Sequence, residues 1–142
     1  MSKHPITRVI QMLNKDAKLI NLLNSKRGTS TPTPLIFSRR IPEDYQKTSN
    51  APFIRVTQIH LSKGLYNDSD SDYYRFSFAV EVFGKSLTDA YELSESVINA
   101  LKPYNARVFD IADPDTDTEF NLEIQMLSFN IILKTKGDNI NG

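Results

Sequence analysis

The apolar positions change their period several times along the chain, and each change marks an element. Ile6, Val9, Ile10 and Leu13 recur at helical spacing behind Pro5, which suits a first helical turn because its missing N–H is not needed there. The pattern resets at Asn14-Lys15-Asp16. Asp16 stands where its carboxylate can cap a second helix of one to two turns carrying Leu19, Ile20, Leu22 and Leu23, although one kinked helix fits the same residues. Residues 24–34, with small polar side chains, Gly28, Pro32 and Pro34, predict an exposed and partly extended loop. A short strand over 35–41 and a second loop from Pro42 to Pro52 follow.

From Phe53 to Leu61 the chain alternates, with Ile54 and Val56 on one side and Phe53, Arg55 and Thr57 on the other. A polar hairpin connection at 66–72 leads to the most regular strand, Tyr73 to Phe83. There Tyr74, Phe76, Phe78, Val80 and Val82 oppose Arg75, Ser77, Ala79 and Glu81, the mark of an antiparallel sheet with one buried face. Gly84 stops that strand, and Ser86-Leu87-Thr88-Asp89 opens a helix with the spacing of a capping box. Its apolar face is expected to hold Leu87, Ala90, Tyr91, Ser94, Val97, Ile98 and Leu101, with Glu92, Glu95 and Asn99 opposite, and Pro103 ends it.

A strand at Ala106–Ile111, an acidic turn and a long strand from Glu119 to Lys134 complete the pattern. In the long strand the apolar residues occupy even positions (Phe120, Leu122, Ile124, Met126) and then odd ones (Leu127, Phe129, Ile131, Leu133). Such a slip predicts a bulge near Met126–Leu127, or a second half covered on both faces. The expected fold is α+β in a single domain, residues 1–142, with a core over about 5–134 and a frayed, flexible tail at 136–142. It has a mainly antiparallel sheet of four to five strands, with the N-terminal helices and one central helix packed on one face.

A chain of 142 residues is long enough to bury about 68–70% of its unfolded surface. With 39% hydrophobic and 24% charged residues it is a globular mixture. Seventeen basic and seventeen acidic residues cancel, which argues against bare nucleic acid as the main partner. The absence of cysteine excludes disulfides, thiolate metal sites and cysteine nucleophiles. No apolar run is long enough to cross a bilayer, and Met1–Pro5 lacks the features of a secretory signal, so synthesis in a cytoplasm is expected.

The cancelled charge is unevenly placed. Residues 1–50 hold nine basic and three acidic side chains, a net of +6, and the remainder holds eight and fourteen, a net of −6. Either these are scattered solvated charges, or the basic surface of one subunit meets the acidic surface of its neighbour. Arg39-Arg40, with Lys26 and Arg27 nearby in sequence, is the only concentrated basic feature, and arginine suits interface ion pairs through its planar fork. The candidate interface residues are therefore Arg27, Arg39 and Arg40 on one side and Asp113, Asp115 and Asp117 on the other.

Catalytic chemistry finds little support. His4 and His60 are the only histidines, and neither a Gly-x-Ser-x-Gly setting nor a glycine-rich phosphate loop is present. Asp68, Asp70 and Asp72, and Asp113, Asp115, Asp117 and Glu119, invite a calcium reading. An EF-hand loop needs glycine at its sixth position and glutamate at its twelfth. The first cluster offers Tyr73 and Ala79 there, and the second Thr118 and Ile124. Neither fits, and solvated turns that discourage edge association explain both clusters, a weak surface calcium site being the alternative. No cofactor, metal or catalytic residue is expected.

Several stretches together resemble the small tail-terminator or tail-completion proteins of long-tailed bacteriophages. They are the N-terminal helix leading into Leu13-Asn14-Lys15-Asp16-Ala17-Lys18-Leu19, the strand ending in Ile41-Pro42, and Ala51-Pro52-Phe53-Ile54-Arg55-Val56. Most characteristic is Phe76-Ser77-Phe78-Ala79-Val80-Glu81-Val82-Phe83-Gly84-Lys85-Ser86 followed by the helix from Asp89 to Val97. The resemblance spans roughly residues 5–134; the Gly28–Pro34 loop and the acidic turn at 113–119 depart from the usual pattern. It implies a structural, non-enzymatic virion protein, made in the host cytoplasm. Such a protein forms a ring, commonly a hexamer, at the head-proximal end of the tail, ends tube polymerisation and presents the surface for head–tail joining. The implied partners are copies of itself, the major tail tube protein and head–tail connector proteins. No membrane and no sequence-specific nucleic acid are implied, only a lumen through which DNA passes. The alternatives are a head–tail connector (head-completion) component of the same virion, a host interaction module, and a small enzyme acting through His60 or the Asp113–Asp117 cluster.

Overall fold

Pro5 opens the first helix, α1 (Pro5–Asn14), in the computed structural model, where His4 Nδ1 accepts the Ile6 N–H at 3.1 Å. The structure describes residues 3–28, 35–43, 46, 48–63, 73–119 and 121–134. Asp16 caps α2 (Ala17–Arg27) by accepting the Leu19 N–H at 2.9 Å. This helix runs three turns, longer than the sequence pattern suggested. Asn24–Arg27, read as loop, form its last turn, because Gly28 at φ +85° supplies a left-handed end and Lys26 and Arg27 sit favourably at the negative pole of the helix. The rest of that loop, residues 29–34, lies outside the described residues.

The strands are β1 (Ile36–Ser38), β2 (Phe53–Lys63) and β3 (Tyr73–Gly84), then, after α3 (Leu87–Leu101), β4 (Arg107–Ile111), β5 (Asp115–Asp117) and β6 (Leu122–Lys134). They form one sheet in the order β1-β2-β3-β6-β4, with β5 also on β6. All pairings are antiparallel except β1 with β2. The sixth strand beyond the expected four or five is β5, inside what the sequence presents as an acidic turn. The predicted strand over 35–41 shrinks to three residues, because Arg39 takes φ +66° and turns the chain away. The connection beyond it is no free loop: Ile41, Ala51 and Pro52 are buried, and Thr48–Asn50 form a 3-10 turn.

Alternation sorts the sheet into two faces. Ile54 and Val56, Phe76, Phe78, Val80 and Val82, and Leu127, Phe129, Ile131 and Leu133 pack under the three helices with Val9, Met12, Leu13, Leu19, Leu23, Leu93, Val97 and Leu101. Phe78 stacks between Phe76 and Phe129 with centroids 5.3 Å from each. Arg8, itself buried, ties α1 to the far end of β6 by donating to the Lys134 carbonyl at 2.5 Å. On the opposite face Phe37, Ile41, Ala51, Phe53, Phe83 and Leu122 make a second, smaller core with Ile124 against it.

That second core explains the parity slip in β6. Its pairing with β3 runs unbroken from Lys134 to Glu123, so the bulge expected at Met126–Leu127 is absent; Ser128 is buried but Asn130 and Ile132 are exposed, so beyond Phe129 the strand is covered on one face only. The strand instead serves two cores, its even residues Leu122 and Ile124 on one face and its odd residues from Leu127 on the other. Bulges lie instead in β2, at Ile59, and in β4, at Phe109.

Ser86 caps α3 as expected, its Oγ accepting the Asp89 N–H at 3.1 Å. The buried stripe is rotated from the expected one. Leu93 and Ala100 join Ala90, Ser94, Val97 and Leu101 inside, whereas Leu87 and Tyr91 stand 52% and 61% exposed. Ser94 is satisfied within the helix, its hydroxyl donating to the Ala90 carbonyl at 2.7 Å. No helix among the described residues is long and apolar enough to cross a membrane.

Candidate subunit interface

β1 lies at one edge of the sheet, and β4 and β5 lie at the other. Arg39 and Arg40 follow β1 directly and are exposed; the Arg39 N–H donates to the Val56 carbonyl at 2.8 Å, which holds the pair against β2. They border an open pocket of about 430 Å³ with His4, Ile6, Thr57 and Gln58. At the opposite edge Asp113 and Asp115 are exposed and Asp117 is half-buried. Four inter-strand steps, about 19 Å, separate β1 from β5. The candidate charges of opposite sign therefore stand on opposite edges of one sheet and do not meet within a subunit.

Arg27 departs from the expected surface position. It is 7% exposed, and its Nη2 donates to the Pro52 carbonyl at 3.2 Å while Nε and Nη1 are buried without a hydrogen-bond partner. Burial pushes its guanidinium below the usual arginine range. This residue ties α2 to the segment before β2 and offers no charge to a neighbour. Lys26 faces α3, with Nζ 3.0 Å from Asp89 Oδ1 and also bonded to Glu92 Oε1, and the bond to Glu92 contributes most to raising its pKa.

The acidic hairpin spends its carboxylates locally. Asp115 Oδ1 accepts the Thr116 N–H at 2.9 Å, Asp117 Oδ1 accepts the Glu119 N–H at 3.0 Å, and Thr116 donates its hydroxyl to Glu123. Among the described residues no group of three or more His, Asp or Glu is placed to hold a metal ion. The Asp68, Asp70 and Asp72 cluster lies outside the described residues. His60 is exposed on β2, opposite Ser77.

Sequence pattern missed the apolar side of the surface. Ile59 and Phe109 are 50% and 54% exposed, and each is the extra residue of a bulge, in β2 and in β4. Both are β-formers inside strand-like runs, so alternation alone assigned them to the sheet without revealing that each is squeezed out of the ladder.

Among solved structures, a chain of the virion of a native gene transfer agent particle superposes with a TM-score of 0.57 at 13% identity, covering 92% of this chain and 94% of that one. This is a fold found in a virion component. The gp17 protein of bacteriophage SPP1 is a more distant likeness, with a TM-score of 0.45 at 17% identity over 92% of this chain and 90% of that one. Comparison with protein-family models gives no match, and comparison with curated proteins gives none.

Proposed function

We propose that the chain is a structural subunit of a phage-like virion, and specifically a tail terminator. In that role it closes the head-proximal end of the tail tube as a ring of identical subunits, a hexamer, halts tube growth and presents the surface that joins the head. The observation that carries the reading is the whole-chain likeness to a virion component, 92% of this chain over 94% of that one. The sheet adds a physical reason for a ring. Its edges bear opposite charges, Arg39 and Arg40 against Asp113, Asp115 and Asp117, and a contact between two different edges is heterologous, the kind that repeats from copy to copy and makes a ring where its rotation closes. The partners in this reading are copies of the chain, the major tail tube protein and the head–tail connector, and no catalytic step is required.

Native mass measurement and negative-stain microscopy of the purified chain, alone and with tail tube protein, test this. A closed ring is expected, and a chain that stays monomeric in both settings overturns the reading. Disrupting the gene should leave DNA-filled heads beside unattached, overlong tails. Tails of normal length beside heads that leak DNA would assign the chain to the head–tail connector instead.

A further inference from the structure

The two sides of the sheet share an unusual feature, one register step apart. β1 covers β2 only from Ile54 to Val56, so beyond Val56 the outer edge of β2 pairs with no strand among the described residues. The outer edge of β4 likewise pairs with no strand among the described residues. Each open edge carries one bulge, and each bulge extrudes one large apolar side chain, Ile59 on β2 and Phe109 on β4.

The register lines fix the relative height of these edges. Gln58 lies opposite Phe78, Phe78 opposite Phe129, and Phe129 opposite Val108. One row lower, Thr57, Ala79, Ser128 and Asp110 are aligned in the same manner. A neighbour displaced sideways by the width of the sheet therefore brings its Val108–Asp110 segment level with Thr57 and Gln58. Its β4 runs antiparallel to β2, as does the β4 of the same chain, since β2 and β6 point the same way. Thr57 and Gln58 border the pocket of Arg39 and Arg40; Asp110 is exposed at the matching height of the opposite edge, and Asp113, also exposed, follows just past the end of the β4 ladder.

We infer that the β2 edge from Thr57 to His60 is the docking surface for the β4 edge of a second copy of this chain. Ile59 and Phe109 are buried against each other's strands, and Arg39 and Arg40 face the carboxylates of Asp110 and Asp113. Apolar bulges supply the burial that isolated surface ion pairs lack, and the charges select the partner edge and its register. Sideways repetition keeps the helical layer of every copy on one side and the bare sheet face on the other. The inference rests on the self-assembling reading above and adds to it the two edges that meet and the new residues Ile59, Phe109 and Asp110.

The test uses the fact that the contact joins two different surfaces. Ile59→Asp disables only the β2 edge, and Phe109→Asp only the β4 edge. Each variant alone should be monomeric by native mass measurement, with a wild-type far-ultraviolet spectrum, and an equimolar mixture should give a one-to-one dimer that grows no further. Arg39→Glu with Arg40→Glu should prevent assembly, and adding Asp110→Arg and Asp113→Arg to the same chain should restore it. A wild type that assembles while both single variants assemble equally well overturns this contact and leaves the ring reading standing. Failure of the mixture to dimerise, when each variant is folded and monomeric, also overturns it. A wild type that never self-associates removes both readings.

Discussion

Phe53 and Phe83 stack across β2 and β3 with ring centroids 5.1 Å apart, on the face of the sheet that the helices leave bare. Phe37 meets Phe53 edge-on at 6.3 Å, and the Arg55 guanidinium lies 5.4 Å above the Phe83 ring while its Nη2 reaches Glu81 Oε1 at 2.7 Å. The bare face is thus closed at one end by aromatic packing lidded by an ion pair. Phe53→Ala should destabilise the chain by about 3–5 kcal/mol, the range for removing a buried phenylalanine. Urea unfolding monitored by circular dichroism measures it. A loss below about 1 kcal/mol would mean that the second core is not a fixed part of the fold.

This second core is also where the sequence was hardest to read. The main core was legible because Tyr73–Phe83 alternates without interruption and the helix caps at Asp16 and Ser86 are unambiguous. Leu122 and Ile124 shared a strand with Leu127 and Phe129 but belonged to another face, and a single period cannot express a strand with two cores. Leu87 and Tyr91 fitted a helical stripe that tertiary packing rotated past them. Of the candidate charges, Arg39, Arg40, Asp113 and Asp115 were legible as exposed. The burial of Arg27 was not, because it depends on where Pro52 passes, far away in sequence.

Gly84 marks the tight passage from β3 into α3. A Cβ there would stand 3.0 Å from the Ala90 nitrogen and 3.3 Å from both Ala90 Cα and the Ser86 carbonyl oxygen, all backbone atoms. Gly84→Ala should therefore destabilise by about 1–3 kcal/mol, as overpacking against groups that cannot rotate away does. Thermal unfolding of the variant would show it, and an unchanged midpoint would mean that α3 docks less closely than described.

Arg27 makes a prediction of unusual sign. Its guanidinium is buried with a single bond, to the Pro52 carbonyl, and two nitrogens unbonded, and a buried charge with so little compensation opposes folding. Arg27→Met keeps much of the side-chain volume and removes the charge, so stability should stay level or rise, whereas Arg27→Ala should lose about 1–3 kcal/mol through the void. Chemical denaturation of the two variants side by side decides the matter; a Met variant as damaged as the Ala variant would show that the charge itself stabilises.

Lys26 links α2 to α3 through Asp89 and Glu92, and its pKa is raised by those partners. A raised value in the folded state means that the stabilising contribution is complete below the ordinary lysine pKa of about 10.4 and is lost as pH rises through the folded value. Wild type and Lys26→Met should differ by a constant amount from pH 7 to pH 9, on the order of 0.5–1 kcal/mol for a partly exposed pair, and converge only as pH rises beyond the ordinary lysine pKa of about 10.4. A difference that narrows already between pH 7 and pH 9 would contradict the direction of the shift.

Arg39 separates stability from assembly. It adopts φ +66°, a left-handed conformation that costs a residue with a Cβ about 1–2 kcal/mol, and its own N–H bonds the Val56 carbonyl whatever its side chain. Arg39→Gly relieves that strain and gives back part of the gain as added freedom in the unfolded chain, so the net should be a stabilisation of about 0.5–1 kcal/mol. The same substitution removes a guanidinium from the β1 edge and should weaken self-assembly, most visibly at low salt where charge attraction between subunits is least screened. A higher melting temperature combined with a higher threshold concentration for ring formation is the expected pair of results. Assembly that is unchanged at both low and high salt would remove Arg39 from the interface, and a lower melting temperature would mean that its side chain anchors the turn.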